Sequence, residues 1–185
     1  MSKIINTPLT DRKIDNLHAG DRVLLNGIIY TGRDAAHKRL VEMISKGEKL
    51  PMALKGQIIY YVGPCPAKPG QVIGSAGPTT SGRMDAYAPI LMENGLKGMI
   101  GKGLRSQKVV DSIIENNSIY FAAVGGAGAL LAETIKEAEV IAFSELGPEA
   151  IYRLKVENFP VTVVIDNKGN DLYKIGRELY RRVSE

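Results

Sequence analysis

Cysteine is nearly absent from this chain of 185 residues, Cys65 being the only one. A lone thiol forms no internal disulfide, and it cannot supply the three or four thiolates that an iron–sulfur cluster usually needs. Tryptophan is missing and phenylalanine occurs three times, which leaves little for stacking nucleic-acid bases. A formal charge of +4 suits an anionic partner, but the lysines and arginines are scattered and interleaved with acids. The densest basic run, His37-Lys38-Arg39, is short. No apolar run approaches the ~20 residues of a membrane span. The N-terminal Met1-Ser2-Lys3-Ile4-Ile5-Asn6 lacks the apolar stretch and small-residue cleavage site of a secretory signal. The expectation is a cytoplasmic protein that binds neither nucleic acid nor membrane. Repeats, low-complexity segments and long linkers are lacking too, so one domain over residues 1–185 is expected.

What is present reads as alternating strands and helices. Val23 to Tyr30 is apolar and β-branched, with Asn26-Gly27 as a hairpin or bulge signal. Asp34 is expected to cap a helix with Ala36, Leu40, Met43 and Ile44 on its apolar face, ending near Gly47. Gln57–Val62 is a strand, and Gly63–Gly70 is a loop punctuated by prolines. Helices are expected at Asp85–Asn94, Ser106–Asn116, Gly128–Ala138 and Pro148–Leu154. They lead to strands at Gly98–Ile100, Ile119–Val124, Val140–Phe143 and Val161–Ile165, with a closing helix at Leu172–Arg182. This alternation predicts an α/β fold with a parallel or mixed sheet flanked by helices, preceded by an N-terminal β layer.

The most informative stretch is Gly77-Pro78-Thr79-Thr80-Ser81-Gly82-Arg83-Met84-Asp85. Gly-Pro makes a turn; three hydroxyls, a glycine and an arginine follow where a helix begins. Free N–H groups, hydroxyls and a guanidinium together can hold a carboxylate or phosphate. The plainer reading is a helix cap beside one solvated arginine. Cys65, in Gly63-Pro64-Cys65-Pro66, has nothing nearby in sequence to lower its pKa and reads as structural or incidental. Gly125-Gly126-Ala127-Gly128 lacks the rest of a phosphate-loop fingerprint and reads as a tight turn.

The Gly77–Asp85 stretch resembles the Gly-Pro-Thr-Thr-x-x-Arg-Met signature of the class I (iron–sulfur) fumarase and L-tartrate dehydratase family, in its β subunit or C-terminal domain. Further matching segments are Thr31–Arg39, Tyr60–Pro64, Met99–Gly103, Ala123–Ala127 and Glu145–Gly147, in the family's order. Ser81 and Gly82 depart from the alanine and threonine of several fumarases.

The resemblance implies a swivelling β/β/α domain. It also implies a substrate-binding β subunit of a two-subunit hydro-lyase that hydrates fumarate reversibly to malate. Residue by residue, it places the substrate-binding groups at Arg33, Thr79, Arg83 and Lys102. Of these, Thr79, Arg83 and Lys102 are the catalytic candidates, Thr79 by positioning or by proton relay. Arginine forks suit a dicarboxylate. His37 and Asp85 are candidate supporting groups, and no metal ligand is expected in this chain. The implied [4Fe–4S] cluster belongs to an α-subunit partner, and a homodimer of such heterodimers is left open. An L-tartrate dehydratase β subunit and a stand-alone anion-binding α/β module are the alternatives.

Overall fold

The computed structural model describes residues 1–124 and 126–180; Gly125 and the last two residues expected in the closing helix lie outside them. Five strands run parallel in chain order: β1 (Lys3–Asn6), β2 (Arg22–Thr31), β3 (Ile58–Tyr60), β4 (Gly98–Gly101) and β5 (Ile119–Ala122). The long strand β7 (Ile151–Ile165) runs antiparallel to β5, to β2 and to β6 (Ile135–Ala142). The seven-stranded order is β1-β2-β3-β4-β5-β7-β6, and a further β2–β7 pairing closes β2, β3, β4, β5 and β7 into a ring.

Alternation along the strands sorts their side chains onto two faces. Ile58, Tyr60 and Val62 join Ile100, Phe121, Leu154, Phe159 and Val163 in a core between the β layers. Ile59, Tyr61, Met99 and Tyr120 point the other way, into a second core. Helices α2 (Asp34–Ser45), α3 (Ala88–Glu93) and α4 (Gln107–Glu115) supply that second core with Leu40, Leu91 and Ile113. The short helices α1 (Asp11–Asp15) and α5 (Gly128–Glu133) put Ile14 and Leu131 into the first core, and α6 (Leu172–Tyr180) ends the described chain. The result is a mixed sheet flanked by helices, with the β/β/α layering expected. Among the described residues no helix is long and apolar enough to cross a membrane.

Three sequence expectations about helices fail, the first being the Asp34 cap: Arg33 holds the cap position of α2 and Asp34 is its first residue. The helix expected over Gly128–Ala138 stops at Glu133, and Ile135 already pairs with β7. Its Lys-Glu-Ala-Glu composition favours helix, but pairing with β7 overrides propensity, and Glu137 meets its register partner Lys155 at 2.8 Å. The helix expected over Pro148–Leu154 is instead the end of a 3-10 segment, Ser144–Glu149, and the start of β7. The Asn26-Gly27 signal is a bulge: the register against β7 slips between Leu25 and Gly27, where Gly27 takes φ +110°. Pro160 is tolerated inside β7 because it faces Leu24 of β2 in a stretch that pairs with neither β6 nor β5.

Phe159 is fully buried and packs edge-on against Tyr60, ring centroids 5.2 Å apart. Phe159→Ala leaves a void at the β–β seam and should cost about 3–5 kcal/mol. Urea unfolding should show a lower midpoint with an unchanged slope; an unchanged midpoint would mean the seam does not hold the fold.

Candidate functional site

The carboxyl ends of β2, β3 and β4 lie side by side because these strands are parallel neighbours. Ligands of open α/β sheets bind at such ends. Arg33 follows β2 by two residues, and the Lys102 backbone extends β4 in a bridge with Thr80. The Thr79 N–H donates to the Tyr61 carbonyl just past β3, at 2.7 Å. Arg83 sits in the 3-10 turn Ser81–Met84, which opens where that bridge ends. The structure therefore gathers Arg33, Thr79, Arg83 and Lys102 at one edge.

The two arginines are tied through acids. Arg83 Nη2 donates to Asp34 Oδ2 at 2.6 Å. Arg33 Nη2 lies 3.0 Å from Glu149 Oε1, and its Nε lies 3.9 Å from Asp34 Oδ1. Burial pushes the Asp34 carboxyl up, but hydrogen bonds from its own backbone and from Arg83, with the charges of Arg83 and Arg33, hold it below its usual range. Asp34 stands in the first turn of α2, and Arg33 holds the cap position with no side-chain cap bond. The 3-10 turn likewise has no side-chain cap: its cap residue is Thr80, which argues against the helix-cap reading of Thr79. Arg83 is half exposed and Lys102 exposed, whereas Arg33 is largely covered.

The two supporting candidates lie underneath. His37 is fully buried; its Nδ1 donates to the Arg33 carbonyl at 2.8 Å, and its ring meets Tyr61 edge-on. Asp85 accepts from Arg105 Nε and from the Ser106 N–H, both at 2.6 Å. The sequence reading passed over Arg105, Ser81, Tyr120 and Glu149. Ser81 Oγ accepts from the Lys102 N–H at 3.1 Å and lies 2.8 Å from the Tyr120 hydroxyl. The available signals were Ser81 inside the signature itself and Glu149 near the Glu145–Gly147 match.

The glycines beside the site make room for it. A Cβ on Gly63 would come within 2.9 Å of Arg33 Nη1, and one on Gly101 would overlap Ser81 Oγ. The space at Gly101 is filled by the signature's own serine.

The chain is thus an α/β domain in which the segments of Arg33, Thr79, Arg83 and Lys102 meet at one strand edge. It belongs to the fumarase family: the profile described as Fumarase C-terminus matches residues 2–176. It is 41% identical over 164 residues to fumarate hydratase 2 of Leishmania major, covering 88% of this chain and 29% of that one. With the anaerobic class I fumarate hydratase of Escherichia coli K12 it shares 40% identity over 174 residues, 92% of this chain and 32% of that one. A Methanocaldococcus jannaschii protein named "Putative L(+)-tartrate dehydratase subunit beta" is 39% identical over 184 residues, covering 96% and 94% of the two chains. This chain therefore spans under a third of the fumarate hydratases it matches and nearly the whole of the archaeal protein.

Burial, partly offset by the bond to the Arg33 carbonyl, brings the His37 pKa from 6.5 down to about 4. The unfolded chain takes up a proton near pH 6.5 that the folded chain refuses until about pH 4. Stability is therefore unpenalised above pH 6.5 and falls as pH drops through that window. Between pH 7.5 and 5 the loss should be about 2 kcal/mol. His37→Asn keeps a donor for the Arg33 carbonyl and should flatten this slope. Urea titrations at both pH values check it, and an equal loss in the variant would show that His37 is not its source.

Proposed function

We propose that this chain is the substrate-binding β subunit of a two-subunit hydro-lyase that interconverts fumarate and malate. The observation that carries the reading is the meeting of Arg33, Arg83, Lys102 and Thr79 at one strand edge. Named fumarate hydratases contain a segment like this whole chain, and a protein named as a β subunit matches it nearly end to end. Three cations stand against two carboxylates, Asp34 and Glu149, leaving the edge net positive. That one uncompensated charge attracts an anion.

In this reading Arg83 grips one substrate carboxylate with the guanidinium edge that Asp34 leaves free, and Arg33 and Lys102 neutralise the other. Thr79 positions the substrate through its hydroxyl; at neutral pH a hydroxyl is a poor base without a charged neighbour. The clamp fixes the dianion and stabilises charge as it builds on the carbon losing its proton.

Arginine, lysine and threonine donate hydrogen bonds and do not ligate iron, and among the described residues no group of three His, Cys, Asp or Glu could hold a metal ion. Cys65 is exposed, on a groove of about 670 Å³ whose lining includes none of the four site residues. These residues do not fit a cluster, and we assign the [4Fe–4S] cluster to an α-subunit partner. Exposed Leu104 and Val124 at the ends of β4 and β5 suit a face that such a partner covers. We place the pair in the cytoplasm. A tartrate dehydratase is the second reading, favoured by the name of the near-full-length relative.

The test is to look for a neighbouring gene for a protein with three well-spaced cysteines and to assemble its cluster-loaded product with this chain anaerobically. The chain alone should be colourless and inactive, and the pair should hydrate fumarate faster than it dehydrates tartrate. The reverse preference selects the second reading, and no lyase activity removes both. Cys65→Ser should leave cluster content and turnover unchanged.

Arg83→Lys keeps the charge and loses the fork. It should cost two to four decades in kcat/KM, on the order of 3–5 kcal/mol. Its Tm should barely move, since a half-exposed ion pair is worth under ~1 kcal/mol. Near-normal turnover in this variant would falsify the clamp.

A further inference from the structure

Among the described residues, Arg105 is the one strongly buried cation that the proposed reaction does not use. Its side chain has 0% exposure, and its guanidinium lies over the rings of Tyr120 and Tyr61, 5.0 and 5.4 Å from the centroids. Nε donates to Asp85, Nη1 reaches the Met99 sulfur at 3.5 Å, and Nη2 has no hydrogen-bond partner among the described residues. A buried charge is expensive unless it is well paired, and a core of this kind could be filled by an apolar side chain. What Arg105 holds is therefore informative.

Each of its three polar or aromatic neighbours anchors a different part of the site. Tyr61 accepts the Thr79 N–H through its carbonyl. Tyr120 contacts Ser81 Oγ and donates to the Gly103 carbonyl at 2.9 Å, so it ties the turn bearing Arg83 to the segment bearing Lys102. Asp85 closes that same turn and fixes the start of α4 through Ser106. Tyr61 also meets His37, which holds the Arg33 carbonyl. One guanidinium thus touches three groups that hold the segments of Thr79, Arg83 and Lys102, and it reaches Arg33 only through Tyr61 and His37.

We infer that Arg105 is a positioning residue: it sets the spacing of Thr79, Arg83 and Lys102 without touching substrate. A planar, permanently charged group is what this place requires, because it stacks on two rings while its edge binds a carboxylate. Lysine has the charge and lacks the plane.

The test has one arm that needs no substrate. In the isolated chain, amide hydrogen exchange at Thr79 and Ser81 should speed up at least tenfold in Arg105→Met and several-fold in Arg105→Lys. Exchange at Leu25 and Ile29 in β2 should stay within twofold. Tyr120→Phe, which keeps the ring and removes only the hydroxyl, should loosen Ser81 and spare Thr79; it reports on the arrangement even if the Arg105 variants fold poorly. The kinetic arm rests on the hydro-lyase reading. There, kcat/KM should fall about tenfold in Arg105→Lys, and the Arg83→Lys/Arg105→Lys pair should lose much less than the sum of its parts. Unchanged exchange at Thr79 and Ser81, or loosening spread evenly through β2, overturns the inference. Inactivity of the wild-type pair defeats the hydro-lyase reading and leaves the exchange result to decide the role of Arg105.

Discussion

The antiparallel pairing of β2 with β7 is the constraint on which the rest depends. Without it β2 to β5 would be an open parallel sheet, which needs cover on both faces. With it the sheet covers one of its own faces, and the helices need to cover only the other. The closure bends both strands at one level. Gly27 takes φ +110° in β2, Asn158 takes φ +53° in β7, and the Asn158 N–H donates to Asn26 Oδ1 at 2.9 Å across the gap. Bulges of this kind sharpen local twist, and twist is what lets β2, β3, β4, β5 and β7 meet in a ring. Once they meet, the carboxyl ends of β2, β3 and β4 are fixed within one edge.

That edge then faces an electrostatic problem. The guanidiniums of Arg33 and Arg83 both approach Asp34. Asp34 resolves most of it, bound to Arg83 and within 3.9 Å of Arg33. Its place in the first turn of α2 also favours its negative charge through the helix dipole. Because these groups are only partly covered, their mutual energies are screened and individually small. The acids leave guanidinium edges free. Water exclusion by a covering chain would strengthen every one of these contacts.

Much of this was legible in the sequence. The strands at Gly98, Ile119 and Val23 and the helix from Asp34 followed from apolar pattern, while the four site residues were named through the family resemblance and the fold brings their segments to one edge. The two strands misread as helix share one cause. Residues 135–138 and 151–154 carry local signals for helix, and their strand state is imposed by pairing with β7 and β2. Arg105 was invisible for the same reason. A lone arginine after Gly103-Leu104 reads as solvated surface, and only the fold brings Tyr61, Tyr120 and Asp85 around it.

The glycines show how the chemistry-bearing residues and their neighbours divide the work. Gly63 has no Cβ where the Arg33 guanidinium passes, and Gly101 has none where Ser81 Oγ sits. The Ser81 hydroxyl then joins Lys102 to Tyr120, and through Tyr120 reaches the ring face that Arg105 covers. Serine at this position therefore depends on glycine at 101, since a methyl there would take the hydroxyl's place. The signature and the Gly101-Lys102-Gly103 segment are separate in sequence and form one packing unit in space. Substitutions at 81 and 101 should accordingly be non-additive, because both act on the same contact. That coupling follows from the fold, and neither motif read alone contains it.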